Sequence, residues 1–101
     1  MTKKDKLKNC ALRAIEENRC LLIRIKAPNI KALEIVINQA VDIEEKIKYY
    51  DKVYNKDLKL KTNKEIEIVD FMEYDIETHQ IYYIEGDVNE EYLAGEKEND
   101  K

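Results

Sequence analysis

The sequence predicts a two-layer α+β domain in which an antiparallel meander packs against one long helix. Three observations favour this fold class: helical spacing of apolar residues near the N-terminus, a long apolar repeat over residues 29–54, and alternation of apolar and charged residues after residue 57. The predicted order is α-β-α(long)-β-β-β-α. A chain of 101 residues has the size of one domain, which we assign to residues 1–95, with 96–101 as a solvated tail.

The first predicted elements are a helix that begins after Thr2 and a strand that ends before Pro28. Thr2 is a favourable N-cap, and Asp5 in the first turn suits the helix dipole. Apolar and cationic residues alternate over residues 21–27, which is typical of a half-buried strand. The apolar stripe that we expect this helix to bury consists of Leu7, Cys10, Ala11, Ala14 and Ile15.

The long helix is predicted to run over residues 29–54 because apolar residues recur there at spacings of three and four. A helix of this length extends about 39 Å, whereas a domain of this size is about 34 Å across. We therefore expect its second half to project and to form the self-association seam of a homodimer. The seam residues are Ile43, Ile47, Tyr50 and Tyr54.

The first predicted hairpin follows the long helix. Placing Leu58 opposite Ile68 and Lys59 opposite Glu67 matches apolar residues on one face and opposite charges on the other. Residues 62–64 then remain as a three-residue turn.

The predicted meander continues after a break in the alternation. This break, at Val69 and Asp70, predicts a bulge. A second hairpin would place Tyr74 opposite Tyr83 around a turn at residues 78–79, and residues 89–94 resemble a short helix.

The sequence carries no set of residues for familiar catalysis. It contains no serine, and its one histidine, His79, falls in a predicted turn, so nucleophile–base chemistry has no obvious participants. Cys10 and Cys20 are too far apart for a disulfide and lack partners for zinc, so we expect buried free thiols. We predict no cofactor, no metal site, no membrane association and no enzymatic activity, although a metal-dependent nuclease stays open. The absence of a signal peptide and of a long apolar segment favours a cytoplasmic protein.

Charge is distributed unevenly along the chain. Residues 1–31 contain nine Lys/Arg and three Asp/Glu, a sum of +6, whereas residues 62–101 contain three Lys and thirteen Asp/Glu, a sum of −10. The predicted meander carries an acidic face that could imitate the backbone charge of nucleic acid. Its members are Glu65, Glu67, Asp70, Glu73, Asp75 and Glu77.

Three functional hypotheses follow from these patterns. The first is a small non-enzymatic interaction protein that binds and occupies a partner protein, as an inhibitor or adaptor similar to those of phages and mobile elements, through the acidic face. The second is a homodimeric nucleic-acid-binding protein that contacts phosphates through Arg19, Arg24 and Lys26. The third is a small-ligand or metal-binding protein that uses the clustered carboxylates as oxygen ligands.

Overall fold

The structure is a computed structural model that describes residues 1–86, without the side chains of residues 30–32 and 86. Its elements are α1 (Lys3–Glu16), β1 (Cys20–Ala27), β2 (Ile30–Ile37), α2 (Ala40–Val53), β3 (Lys59–Leu60), β4 (Asn63–Asp75) and β5 (Gln80–Gly86). The α+β class and the antiparallel sheet are therefore confirmed. The predicted short helix at residues 89–94 and the tail at 96–101 lie outside the described residues.

The prediction of one long helix is wrong. Its first part is strand β2, which pairs with β1 across a turn at Pro28 and Asn29, and only the second part is helical, as α2. Residues 33, 35 and 37 form a period of two that overlaps the period of three and four. Because Ile and Val favour strands, and because β1 offers a partner, the shorter period prevails.

The sheet has the order β2-β1-β4-β3, and β5 pairs with β4 on the edge that β3 also occupies. All described pairings are antiparallel. β1 lies between β2 and β4, so residues 20–25 are buried on both faces. The prediction that this strand is half-buried is therefore wrong, because a central strand is covered by side chains on each face.

The first hairpin agrees in part with the predicted register. Lys59 faces Glu67 as expected, but Leu60 faces Asn63, so the turn is Lys61 and Thr62. The bulge is confirmed: Arg24 faces Asp70 and Ile25 faces Ile68, which leaves Val69 as the extra residue.

The register predicted for the second hairpin is wrong. Tyr74 faces Ile81, and β4 ends at Asp75. The Asp75 carboxylate accepts hydrogen bonds from the backbone N–H groups of Glu77 and Thr78, which closes a four-residue turn.

The main core lies between the two helices and one face of the sheet. The N-terminus of α1 has the predicted cap: the Asp5 N–H donates to Thr2 Oγ1, and the Thr2 N–H donates to the Asp5 carboxylate, both at 3.1 Å. Four of the five residues of its predicted apolar stripe are buried and the fifth, Ile15, is half-buried, and Cys10 and Cys20 are buried free thiols. A second, smaller cluster on the opposite sheet face contains Cys20, Leu22, Met72 and Tyr74.

The predicted self-association seam belongs to this core. Ile43, Tyr50 and Tyr54 are buried within a single chain, and Ile47 packs against them. These residues therefore cover the core of a single chain, as the apolar stripe of an amphipathic helix does, and self-association stays a prediction.

Candidate functional site

The six carboxylates of the predicted acidic face do not share one exposed surface. Glu65 and Glu77 are exposed, and Glu67 and Asp75 are half-buried. Asp70 and Glu73, in the middle of the set, are 0% exposed. The structure therefore divides the predicted face into two separated ends.

Asp70 binds the arginine that stands opposite it in the sheet. The Nε of Arg24 donates to Asp70 Oδ1 and Oδ2 at 2.8 and 3.0 Å, and its Nη2 also donates to Oδ2. Both side chains are buried. A bidentate pair of this kind tolerates burial because each carboxylate oxygen receives a charged donor. It links β1 and β4 across 46 positions of sequence.

Glu73 lies between two further arginines. Arg19 Nη1 donates to Glu73 Oε1 at 3.2 Å, and Arg13 Nε lies 3.5 Å from Oε2. The two guanidinium groups also lie over tyrosine rings, Arg13 at 3.9 Å from the centroid of Tyr83 and Arg19 at 3.5 Å from that of Tyr82. These cation–π contacts hold the arginines at the sheet.

The ion pairs join residues from two competing hypotheses. Arg19 and Arg24 were predicted to contact phosphates, and Asp70 and Glu73 were predicted to bind a protein. In the fold, Arg19 pairs with Glu73 and Arg24 pairs with Asp70. Of the three cations predicted to contact phosphates, only Lys26 is exposed. The sequence alone does not indicate these ion pairs, because they depend on β1 lying beside β4 in the sheet.

Nucleophilic and metal chemistry finds little support in the described part of the chain. Burial, with a smaller effect of the nearby Glu73 carboxylate, raises the pKa of the Cys10 thiol to about 12. His79 is exposed in its turn, with Nδ1 2.6 Å from the Tyr74 hydroxyl. Residues 1–86 contain no group of three His, Cys, Asp or Glu side chains suited to a metal ion. Within the same residues, neither helix is long and apolar enough to cross a bilayer.

Four of the eight large hydrophobic side chains that are exposed among the described residues lie on β2 and α2. Among the described strands β2 pairs with β1 alone, so its other edge faces no described strand. Leu33 and Val36 on β2 are 49% and 40% exposed, and Val41 and Tyr49 on α2 are 56% and 55% exposed. We call these four residues, together with the edge of β2 that pairs with no described strand, the β2-edge site.

A cleft of about 690 Å³ opens within the β2-edge site. One wall is the C-terminal half of β2, the floor is the Asn38–Gln39 connection, and the other wall is one face of α2. The cleft residues on α2 are Asp42, Glu45, Lys46 and Tyr49. Because α2 buries its opposite stripe in the core, this face points away from the core and is exposed among the described residues.

The β2-edge site was missed in the sequence because residues 30–37 were assigned to a helix. The signal was present: six of the eight residues of β2 are apolar, and none is proline. No family model, curated protein or solved structure matches this chain, so its function is inferred from geometry alone.

Proposed function

We propose that this protein is a non-enzymatic interaction protein that binds a partner protein at the β2-edge site. The observation that carries the proposal is the outer edge of β2, which pairs with no other described strand and is flanked by exposed apolar residues. An extended segment of another protein can join such an edge through backbone hydrogen bonds and place alternate side chains in the adjoining cleft.

The composition of β2 supports this proposal. Edge strands of monomeric proteins are usually protected by proline, by bulges or by charged side chains that discourage pairing. β2 contains no proline, and over residues 33–37 its pairing with β1 is regular and Glu34 is the one charged residue. Exposed apolar residues grouped at one edge are typical of interaction surfaces rather than of ordinary solvated surface.

The other hypotheses have less support from the described residues. Mimicry of nucleic acid would rest on four separated carboxylates, because Asp70 and Glu73 are buried. Direct phosphate binding would rest on Lys26, because the Arg19 and Arg24 side chains hold carboxylates. Homodimerisation and a cytoplasmic location stay predictions.

The test compares two lysine variants by affinity capture from the native cell lysate with quantitative mass spectrometry. Val36→Lys places a charge at the β2-edge site, whereas Leu12→Lys places one on α1, where Leu12 is 57% exposed. We expect Val36→Lys to lose the partner at least tenfold and Leu12→Lys to retain it.

Hydrogen exchange on the captured complex provides the second measurement. The amides of β2 should become protected when the partner binds, because they enter a new strand pairing. Equal capture by the Val36→Lys variant, together with unprotected β2 amides, would show that the partner binds elsewhere.

A further inference from the structure

We infer that the ligand of the β2-edge site is an extended segment of a partner protein in which basic and apolar residues alternate. This inference rests on the proposed function and adds the chemistry of the ligand. It follows from the position of two carboxylates of α2, Asp42 and Glu45, beside the outer edge of β2.

The position of an added strand is set by sheet geometry. Neighbouring strands lie about 4.8 Å apart, and every second side chain points to the same face. The residues of β2 on the helix side of the sheet are Leu33, Ile35 and Ile37, since they face Ile25, Ile23 and Leu21 of the main core. Alternate side chains of an added strand would therefore enter the cleft between β2 and α2.

The charge of that cleft is negative on its helical wall. Asp42 and Glu45 are exposed, and neither forms an ion pair with any described residue. Lys46 is the only cation among the residues that line the cleft, so the lining has a net charge of −1. Lys or Arg on the helix side of an added strand would complement these two carboxylates.

The two faces of the site differ in character. In the cleft, the half-exposed ring of Tyr49 and the side chains of Ile35 and Ile37 can pack against the aliphatic stem of a Lys or Arg. On the opposite sheet face, Val36 is exposed beside the buried Leu22. A ligand that alternates basic and apolar residues would match both surfaces at once.

A second copy of this chain is a poorer ligand for the same site. It would bring a second acidic face of α2 to the same side of the joined sheet, and each chain has a net charge of −4. Like charges placed together oppose association. A foreign basic segment avoids this repulsion.

The experiment selects octapeptides from a random display library on the full-length protein. We expect Lys or Arg at alternate positions, with apolar residues between them. The variant is Asp42→Asn/Glu45→Lys, and its control is Asp57→Asn/Glu65→Lys, which changes the net charge equally at two exposed carboxylates elsewhere. Circular dichroism confirms that both proteins are folded.

The expected result is a loss of affinity confined to the variant. Binding of the selected peptide, measured by fluorescence anisotropy, should weaken about tenfold in the variant and less than twofold in the control. Selection on the variant should also enrich acidic peptides instead of basic ones.

The outcomes separate this inference from the proposed function. Neutral or acidic peptides that protect the β2 amides from exchange would overturn the ligand chemistry and leave the site standing. Failure to select any peptide, or selection of peptides that leave β2 unprotected, would overturn both. A dimer in sedimentation that dissociates on Val36→Lys would identify a second copy as the occupant and overturn the inference.

Discussion

Replacing Arg24 by Met tests whether the ion pair across the sheet is structural. The substitution leaves the Asp70 carboxylate, which is 0% exposed, without an ion-pair partner among the described residues. Removing one member of a buried pair costs about 3–5 kcal/mol, because the remaining charge stays desolvated. A domain of this size is typically stable by about 5–15 kcal/mol, so the loss would be a large fraction of the total.

Urea denaturation followed by circular dichroism at pH 7 measures the effect. With a denaturant slope of about 1.5 kcal/mol per molar urea, the midpoint should fall by roughly 2–3 M. The control is Lys26→Met, at an exposed position of the same strand, which should change stability by less than about 0.5 kcal/mol. If Arg24→Met does not fold, Arg24→Lys retains a charge and should show a smaller loss.

A double variant separates burial of charge from loss of packing. Arg24→Met with Asp70→Leu removes both charges, and its stability should return to near that of the parent protein or exceed it. Equal midpoints for the parent and Arg24→Met would contradict the reasoning, since they would mean that the Asp70 carboxylate does not depend on this arginine.

Three further predictions concern the core, the surface charges and the thiols. Ile43→Ala should cost about 2–5 kcal/mol in urea denaturation, whereas Val41→Ala on the exposed face should cost less than about 0.5 kcal/mol, because only Ile43 leaves a cavity. Hydrogen bonds from Lys8 and Lys4 lower the pKa of Asp51. The contribution of Asp51 to stability is therefore present above about pH 4 and is lost as pH falls through the lowered pKa. The loss of stability from pH 5 to pH 2 should be smaller in Asp51→Asn than in the parent protein, and an identical loss would contradict this prediction. At pH 8, Cys10 should react with iodoacetamide only as fast as the protein opens, and rapid labelling of the folded protein, detected by mass spectrometry, would show that the thiol is accessible. The free energy of unfolding should fall as pH rises from 9 towards 12, because the Cys10 thiol ionises at a lower pH in the unfolded chain than in the folded protein.

Three features that depend on neighbouring residues were predicted correctly from the sequence, although the register of the second hairpin was not. The cap of α1 involves residues three apart, Thr2 and Asp5, and its hydrogen bonds form wherever a helix begins there. The bulge at Val69 was visible as a break in alternation, because a bulge moves the following side chains to the other face. The absence of a disulfide between Cys10 and Cys20 followed from their spacing, and their burial followed from the behaviour of cysteine as a small hydrophobic residue.

The error in residues 29–54 arose because one stretch satisfied two periods. Leu33 and Val36 fit a helical repeat, but Leu33, Ile35 and Ile37 also fit a strand. A strand is stable only when it pairs with another strand, and the pairing of β2 with β1 is visible only in the tertiary structure. The same error concealed the β2-edge site and placed the core residues Ile43 and Tyr50 in a seam.

The sequence by itself determined the α+β class, the first helix and its cap, the bulge in β4 and the uneven distribution of charge along the chain. Only the tertiary structure decided which charges meet. Arg24 and Asp70 are 46 positions apart and become partners because β1 lies beside β4 in the sheet. Strand order depends on the packing of the whole core rather than on neighbouring residues. For this reason the buried ion pairs and the place of β2 at the edge of the described sheet could not be predicted from the chain alone.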